Sequence, residues 1–299
     1  MKRAKVIGFL LLAWLVLALP LQAQEKPTLT IFAAASLTDA FTEIGEVFQA
    51  AYPEVELVYN FGSSSALATQ LVEGGAPADI FASANEKQMK VAVDGERIGS
   101  EPVIFARNRL VLIVPAENPA EIKSLADLAT AGIDLVLAAP GVPVRDYTDA
   151  MLEKLAADPA YGAAYKDAFL ANLVSEEDNV RQVTAKVALG EAEAGIVYSS
   201  DVTPDVAEQV IALPIPDAVN TLATYPIAIT NDSANPELAQ AWVDLVTAET
   251  GQKILVKWGF IERCPVAVEV TAEATLEATL EATAEVELTP EATPDAAGC

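Results

Sequence analysis

Histidine does not occur anywhere in the 299 residues, and cysteine occurs only twice. Without an imidazole there is no Ser-His-Asp or Cys-His catalytic constellation and no His-ligated zinc or iron centre. Two nucleotide-binding fingerprints are missing as well, since the chain contains neither G-x-G-x-x-G nor G-x-x-x-x-G-K-[ST]. Basic residues are scarce, 18 against 43 acids, for a net charge of −25. A surface of that sign repels phosphate backbones, so nucleic acid is excluded as a partner. What the chain does have is apolar content, 52%, and a length that suggests two lobes rather than one.

The two ends read as segments outside the fold. Residues 1–23 resemble an export signal: Lys2, Arg3 and Lys5 precede an uncharged apolar run from Val6 to Leu21, and Leu21-Gln22-Ala23 offers a small-residue cleavage site. Those sixteen residues, interrupted by Pro20, fall short of the ~18–20 needed to span a bilayer. The expectation is a cleaved signal and a mature protein outside the cytoplasm, in a periplasm or cell-wall space. At the other end, residues 265–299 repeat Thr, Glu, Ala and Pro, with eight acids and no base. No apolar face of helical period runs through them, so they read as a solvated acidic tail. Residues 24–264 then carry 35 acids and 15 bases, a net −20. Cys264 and Cys299 are the only cysteines; an oxidising compartment permits a bond between them, although it would close only a loop of tail.

Between the ends, strand and helix signals alternate. Leu29–Ala34 is an apolar strand run, and Ser36-Leu-Thr-Asp39 opens a helix with Leu37, Phe41, Ile44 and Phe48 at helical spacing before Pro53. Val55–Phe61 reads as a strand, Gly62-Ser63-Ser64-Ser65 as a turn into a helix bearing Leu67 and Leu71, and Asp79–Ala84 as a further strand. A second set follows: strands at Arg109–Pro115, Ile133–Ala139, Ala194–Tyr198 and Thr224–Thr230, and helices at Asp146–Leu155, Val180–Leu189 and Pro236–Lys257. The pattern predicts an α/β fold of two lobes, each a mostly parallel sheet flanked by helices. The chain is expected to cross between lobes near 105–109 and 221–226, so that lobe 1 takes 24–106 and 223–264 and lobe 2 takes 107–222.

The chemistry is expected where hydroxyls meet helix starts. Ser36 follows a strand and opens a helix, Ser64 does the same one unit later, and Asn179-Val180 begins a third helix. In an open α/β sheet such turns share one edge, where ligands bind. Each helix start presents unpaired N–H groups and about half a positive charge, which together favour an anion. Tyr198, at the tip of its strand, supplies a phenolic donor. Three such ends around one cleft hold a dianion without any lysine or arginine, even in a chain of this charge. The plainer reading of each serine is an N-cap worth ~1 kcal/mol, and of Glu176-Glu177-Asp178 a solvated first turn favourable to the helix dipole rather than a metal site. A Ser-Lys hydrolase using Ser63–Ser65 with Lys87 or Lys90 is the reading from a different class; no nucleophile-elbow motif supports it.

Several motifs, in order, resemble the molybdate-binding proteins of ABC importers: Ile31-Phe-Ala-Ala-Ala-Ser-Leu-Thr-Asp-Ala40, Phe61-Gly-Ser-Ser-Ser-Ala-Leu67, Gly75-Ala-Pro-Ala-Asp-Ile-Phe81 and Gly195-Ile-Val-Tyr-Ser-Ser-Asp201. The similarity runs from about residue 28 to 263, ending in Gly251-Gln through Trp258-Gly-Phe260. It implies a hinged, two-lobed periplasmic-binding-protein fold of type II that closes on molybdate or tungstate and delivers it to a membrane permease. It implies a monomeric binding protein rather than an enzyme, with molybdenum held only as the oxyanion and no cofactor. Ser36 and Ser64 match the family's two oxyanion-binding serines, Val180 a backbone donor at a helix start, and Tyr198 the tyrosine whose hydroxyl reaches the ion. A fifth contact is a backbone N–H, usually of alanine in a V-P-A-G turn. Here the stretch is Gly141-Val-Pro-Val144-Arg145-Asp146-Tyr147, which assigns the donor to Val144 and sets Arg145 either beside the anion or, the favoured reading, against Asp146 or another surface acid. A donor-only cleft rejects monohydrogen phosphate, whose proton meets no acceptor. Sulfate is acceptor-only and is rejected by its smaller size, so sulfate or phosphate specificity is the runner-up.

Overall fold

The computed structural model describes residues 26–263; the segments read as an export signal and an acidic tail, and both cysteines, lie outside the described residues. The first apolar run forms β1 (Thr28–Ala34), which passes through a 3-10 turn at Ala35–Leu37 into α1 (Thr38–Ala51). Leu37, Phe41, Ile44 and Phe48 recur at helical spacing and are all buried. Then come β2 (Glu56–Gly62), α2 (Ser64–Val72), β3 (Ile80–Ala82), α3 (Glu86–Asp94) and β4 (Val103–Asn108). Strand β3 is shorter than the run over 79–84 predicts. After Ala82 the chain turns: Ser83 Oγ donates to the Asn85 carbonyl at 2.7 Å, and Asn85 caps α3 by accepting the Gln88 N–H at 2.9 Å.

Arg109 carries the chain from one sheet to the other. There follow β5 (Leu110–Pro115), β6 (Leu135–Ala138), α4 (Pro143–Ala157), α5 (Tyr165–Ala171), β7 (Leu173–Glu177), α6 (Val180–Ala188), β8 (Ala194–Tyr198), α7 (Pro204–Ala207) and β9 (Val210–Pro214). The chain then returns to the first sheet as β10 (Ala223–Ile229), followed by α8 (Pro236–Thr247), α9 (Glu249–Lys257) and β11 (Ile261–Glu262). Buried Asn108 pins the crossing: its side chain donates to Ser200 Oγ at 2.8 Å and accepts from Ser199 Oγ at 2.7 Å.

The first sheet has the order β11-β4-β10-β3-β1-β2 and the second β7-β6-β8-β5-β9. Both are mixed rather than mostly parallel. Strand β1 is parallel to β2 and β3, but β10 is antiparallel to β3 and β4; β6 is parallel to β7 and β8, but β5 is antiparallel to β8 and β9. In each sheet the strand entered directly from the other lobe runs against the β-α-β units.

Three local expectations are corrected. The single helix over 236–257 is two, broken at Ala248, whose extended ψ of 164° ends α8 and caps α9. The helices meet so closely that a Cβ on Gly251 would lie 2.2 Å from the Leu245 carbonyl oxygen. Helix α4 starts at Pro143 rather than Asp146, because proline at the first position pre-sets the helical φ. Glu176 and Glu177 belong to strand β7, not to a helix first turn. The core of the first lobe centres on Trp242 of α8, packed edge-on against Phe41 and Phe48 with ring centroids 5.6 and 5.4 Å away.

Candidate functional site

Four helical starts face one cleft between the sheets, at the carboxyl ends of β1, β2, β6 and β7. The 3-10 turn after β1 presents Ser36, α2 begins with Ser64, α4 places Val144 after Pro143, and α6 begins with Val180. Tyr198 ends β8. The structure brings all five residues to the wall of the same cleft. Among the described residues, no lysine, arginine, aspartate or glutamate lines it.

The donors are left free by the local folding. At Ala34, Ser63 and Val142, the residues preceding three of these starts, no side chain caps the helix; in α4 the Arg145 N–H turns back to the Val142 carbonyl at 2.9 Å, and the Val144 N–H before it is taken by no cap. At α6 the Asn179 side chain takes only the Gln182 N–H, at 3.2 Å. Before α4, Gly141 adopts φ +88°, a left-handed turn that glycine enters without strain and that delivers Val142-Pro143-Val144 to the cleft.

The hydroxyls are directed too. Ser64 Oγ accepts the Ala84 N–H at 2.9 Å, so its own proton is free to point into the cleft. Ser36 Oγ lies 3.0 Å from Tyr225 Oη of β10; both residues are buried. Tyr198 is almost wholly buried, and its Oη has no hydrogen-bond partner of normal geometry. Burial, with Tyr225 and Tyr147 beside it, pushes its pKa well above the ordinary phenol value, so it stays a neutral donor. A buried, unpaired hydroxyl costs free energy unless a ligand meets it.

Charged groups stand behind the wall. Arg145 is turned away: its Nε donates to Asp149 at 2.9 Å and its Nη1 to Glu176 at 2.7 Å and to the Ala138 carbonyl at 3.2 Å. Its partners are therefore Asp149 and Glu176; Asp146 pairs instead with Lys87 at 3.0 Å. Glu177 pairs with Lys186 at 2.6 Å. Arg181, next to Val180, reaches Asp39 at 2.5 Å and Asp201 at 3.0 Å. Buried Asp201 also accepts the Tyr198 N–H at 3.1 Å, and burial, opposed by Arg181, pushes its pKa up to about 6. Neither Lys87, on Asp146, nor Lys90, on Asp94, is engaged by Ser63–Ser65. Among the described residues no group of three or more His, Cys, Asp or Glu side chains is arranged to hold a metal ion.

Sequence reasoning missed Tyr225, Arg181, Asp39 and Asp201. Tyr225 and Ser36 are 189 residues apart, and Arg181 and Asp39 142 apart, so no local spacing signals either contact.

With its neutral donors and absence of charge, the cleft suits a compact anion that only accepts hydrogen bonds. The profile of the family described as bacterial extracellular solute-binding protein matches residues 29–261. The molybdate-binding protein ModA of Mycobacterium tuberculosis is 39% identical over 237 residues, covering 79% of this chain and 85% of the relative. ModA of Escherichia coli is 32% identical over 243 residues, 79% of this chain and 90% of that one. The periplasmic molybdate-binding protein of Azotobacter vinelandii, at 19% identity, shares the fold with a TM-score of 0.67 over 79% of this chain and all of its own.

Proposed function

The chain belongs to the family of bacterial extracellular solute-binding proteins, with the ModA proteins among its relatives, and on that premise we propose that it captures molybdate or tungstate outside the cytoplasmic membrane and hands it to the permease of an ABC importer. The observation that carries this reading is the chemistry of the cleft wall: helix-start N–H groups and serine and tyrosine hydroxyls, with no charged side chain. The Ser36 and Ser64 hydroxyls, the N–H groups of Val144 and Val180, and Tyr198 Oη are the donors. Such a wall favours a fully deprotonated tetrahedral dianion over monohydrogen phosphate, whose proton finds no carboxylate there to accept it. Sulfate, with its shorter bonds, reaches fewer of the donors at once. Hinge motion of the two lobes brings the donors of one to those of the other around the ion.

A melting series with molybdate, tungstate, sulfate and phosphate tests this. An ion present at 1,000 times its dissociation constant stabilises by ~4 kcal/mol, which raises Tm by about 8–16 °C for a chain of this size. Shifts with molybdate and tungstate alone are expected. A shift with sulfate or phosphate instead overturns the specificity, and no shift with any of the four overturns the function.

A further inference from the structure

Three members of one ion cluster sit immediately behind three donors of the cleft. Asp39 lies three residues after Ser36, Asp201 three after Tyr198, and Arg181 one after Val180. Asp39 belongs to α1 of the first lobe; Arg181 and Asp201 belong to the second. The guanidinium joins them, with Nη2 at 2.5 Å from Asp39 and Nε at 3.0 Å from Asp201. An exposed ion pair would contribute little, but here the Asp201 side chain is 0% exposed, that of Arg181 25% and that of Asp39 33%.

We propose that Arg181 is a positioning residue for anion capture: by bridging Asp39 and Asp201 it clamps the cleft wall that carries Ser36 to the wall that carries Val180 and Tyr198. The inference rests on the anion-capture reading above. It assigns no contact with the ion to Arg181. Both carboxylates hold the side chain in place, so the cluster acts through geometry: with the clamp made, donors of both lobes are held at one spacing.

The clamp and simple electrostatics differ in sign. The cluster carries one net negative charge, so removing the charge of Asp39 lowers the repulsion of a dianion and by Coulomb's law alone would tighten binding. Under the clamp it weakens binding, because the bridge between the lobes is lost. The test is titration calorimetry and stopped-flow binding of sodium molybdate to the full chain and to Asp39→Asn, Arg181→Lys, Arg181→Gln and the Asp39→Asn/Arg181→Gln double variant. Asp39→Asn keeps the Arg181–Asp201 pair, so its ion-free Tm stays near that of the parent even if Arg181→Gln, which strands a buried carboxylate, folds poorly. The expected result is about tenfold weaker molybdate binding in Asp39→Asn, chiefly through faster release. Partial retention of affinity in Arg181→Lys and a double variant no weaker than Arg181→Gln complete the pattern. Unchanged or tighter binding in Asp39→Asn, or additive losses in the double variant, overturns the proposal. If no ion shifts the melting of the parent chain, the anion reading fails and takes the clamp with it; if the parent responds and Asp39→Asn binds equally well, only the clamp fails.

Discussion

Helices α4 and α6 begin alike and end their likeness one residue later. Each places a valine of its first turn in the cleft wall, Val144 and Val180, and each follows it with an arginine. Arg145 is anchored within its own lobe, on Asp149, Glu176 and the Ala138 carbonyl. Arg181 instead reaches across to Asp39 in the other lobe while holding Asp201 in its own. Other groups tie α4 to the first lobe: Asp146 pairs with a largely exposed Lys87, and Tyr147 Oη accepts the Thr224 N–H at 3.2 Å. In both places two carboxylates keep a guanidinium out of the cleft, so the site remains neutral although a cation follows each backbone donor. The same Val-Arg pair therefore serves internal stability at α4 and closure at α6.

The two starts differ most in the burial of their carboxylates. Asp201 is fully buried, whereas Asp149 and Glu176 are each about two-fifths exposed. The largest expected effect follows from that difference. The Asp201 pKa of about 6 lies above its ordinary 3.8, so the folded state holds the proton more tightly than the unfolded one. The stability this gives is fully present below pH 4 and lost as pH rises through 6, in all ~3 kcal/mol. Other carboxylates slope the opposite way, so the measurement is the difference between the parent and Asp201→Asn in urea unfolding from pH 4 to 7. The parent should lose stability relative to the variant across that range; parallel curves would remove the difference between the two starts.

Arg145→Ala is expected to have a smaller effect of another kind. It leaves Glu176, Asp149 and the Ala138 carbonyl without their cation, and the partial exposure of the two carboxylates limits the cost to ~1–2 kcal/mol of fold stability. Molybdate affinity per folded molecule should hardly change. A large loss of affinity with intact stability would place Arg145 at the ion and erase the contrast with Arg181.

Much of the fold is legible in the sequence wherever one face or one run is apolar. The β1 run and the β8 run are continuous and buried, and α1 carries a clean helical period, so all three stand out. Short strands β7 and β9 do not: exposed positions interrupt both, acids end β7, and their order comes from pairing with β6 and β5. The break at Ala248 is invisible for a related reason, since alanine is a good helix former and the turn is imposed by the packing of Gly251 on the end of α8. Within the cleft, the residues chosen on helix-start grounds, Ser36, Ser64, Val180 and Tyr198, and Val144, assigned by resemblance, do meet in space. The groups that set their geometry, Tyr225 behind Ser36 and the Arg181 cluster, depend on contacts between distant segments and on the charge of the whole fold, neither of which has a local spacing.

The most direct measurement is a crystal structure grown with molybdate, with the metal located by its anomalous scattering. A single peak is expected in the cleft, ringed by the Ser36 and Ser64 hydroxyls, the N–H groups of Val144 and Val180, and Tyr198 Oη, with Arg145 and Arg181 still held by their carboxylates. A peak elsewhere, or one in which either arginine has turned inward to touch the ion, would contradict it.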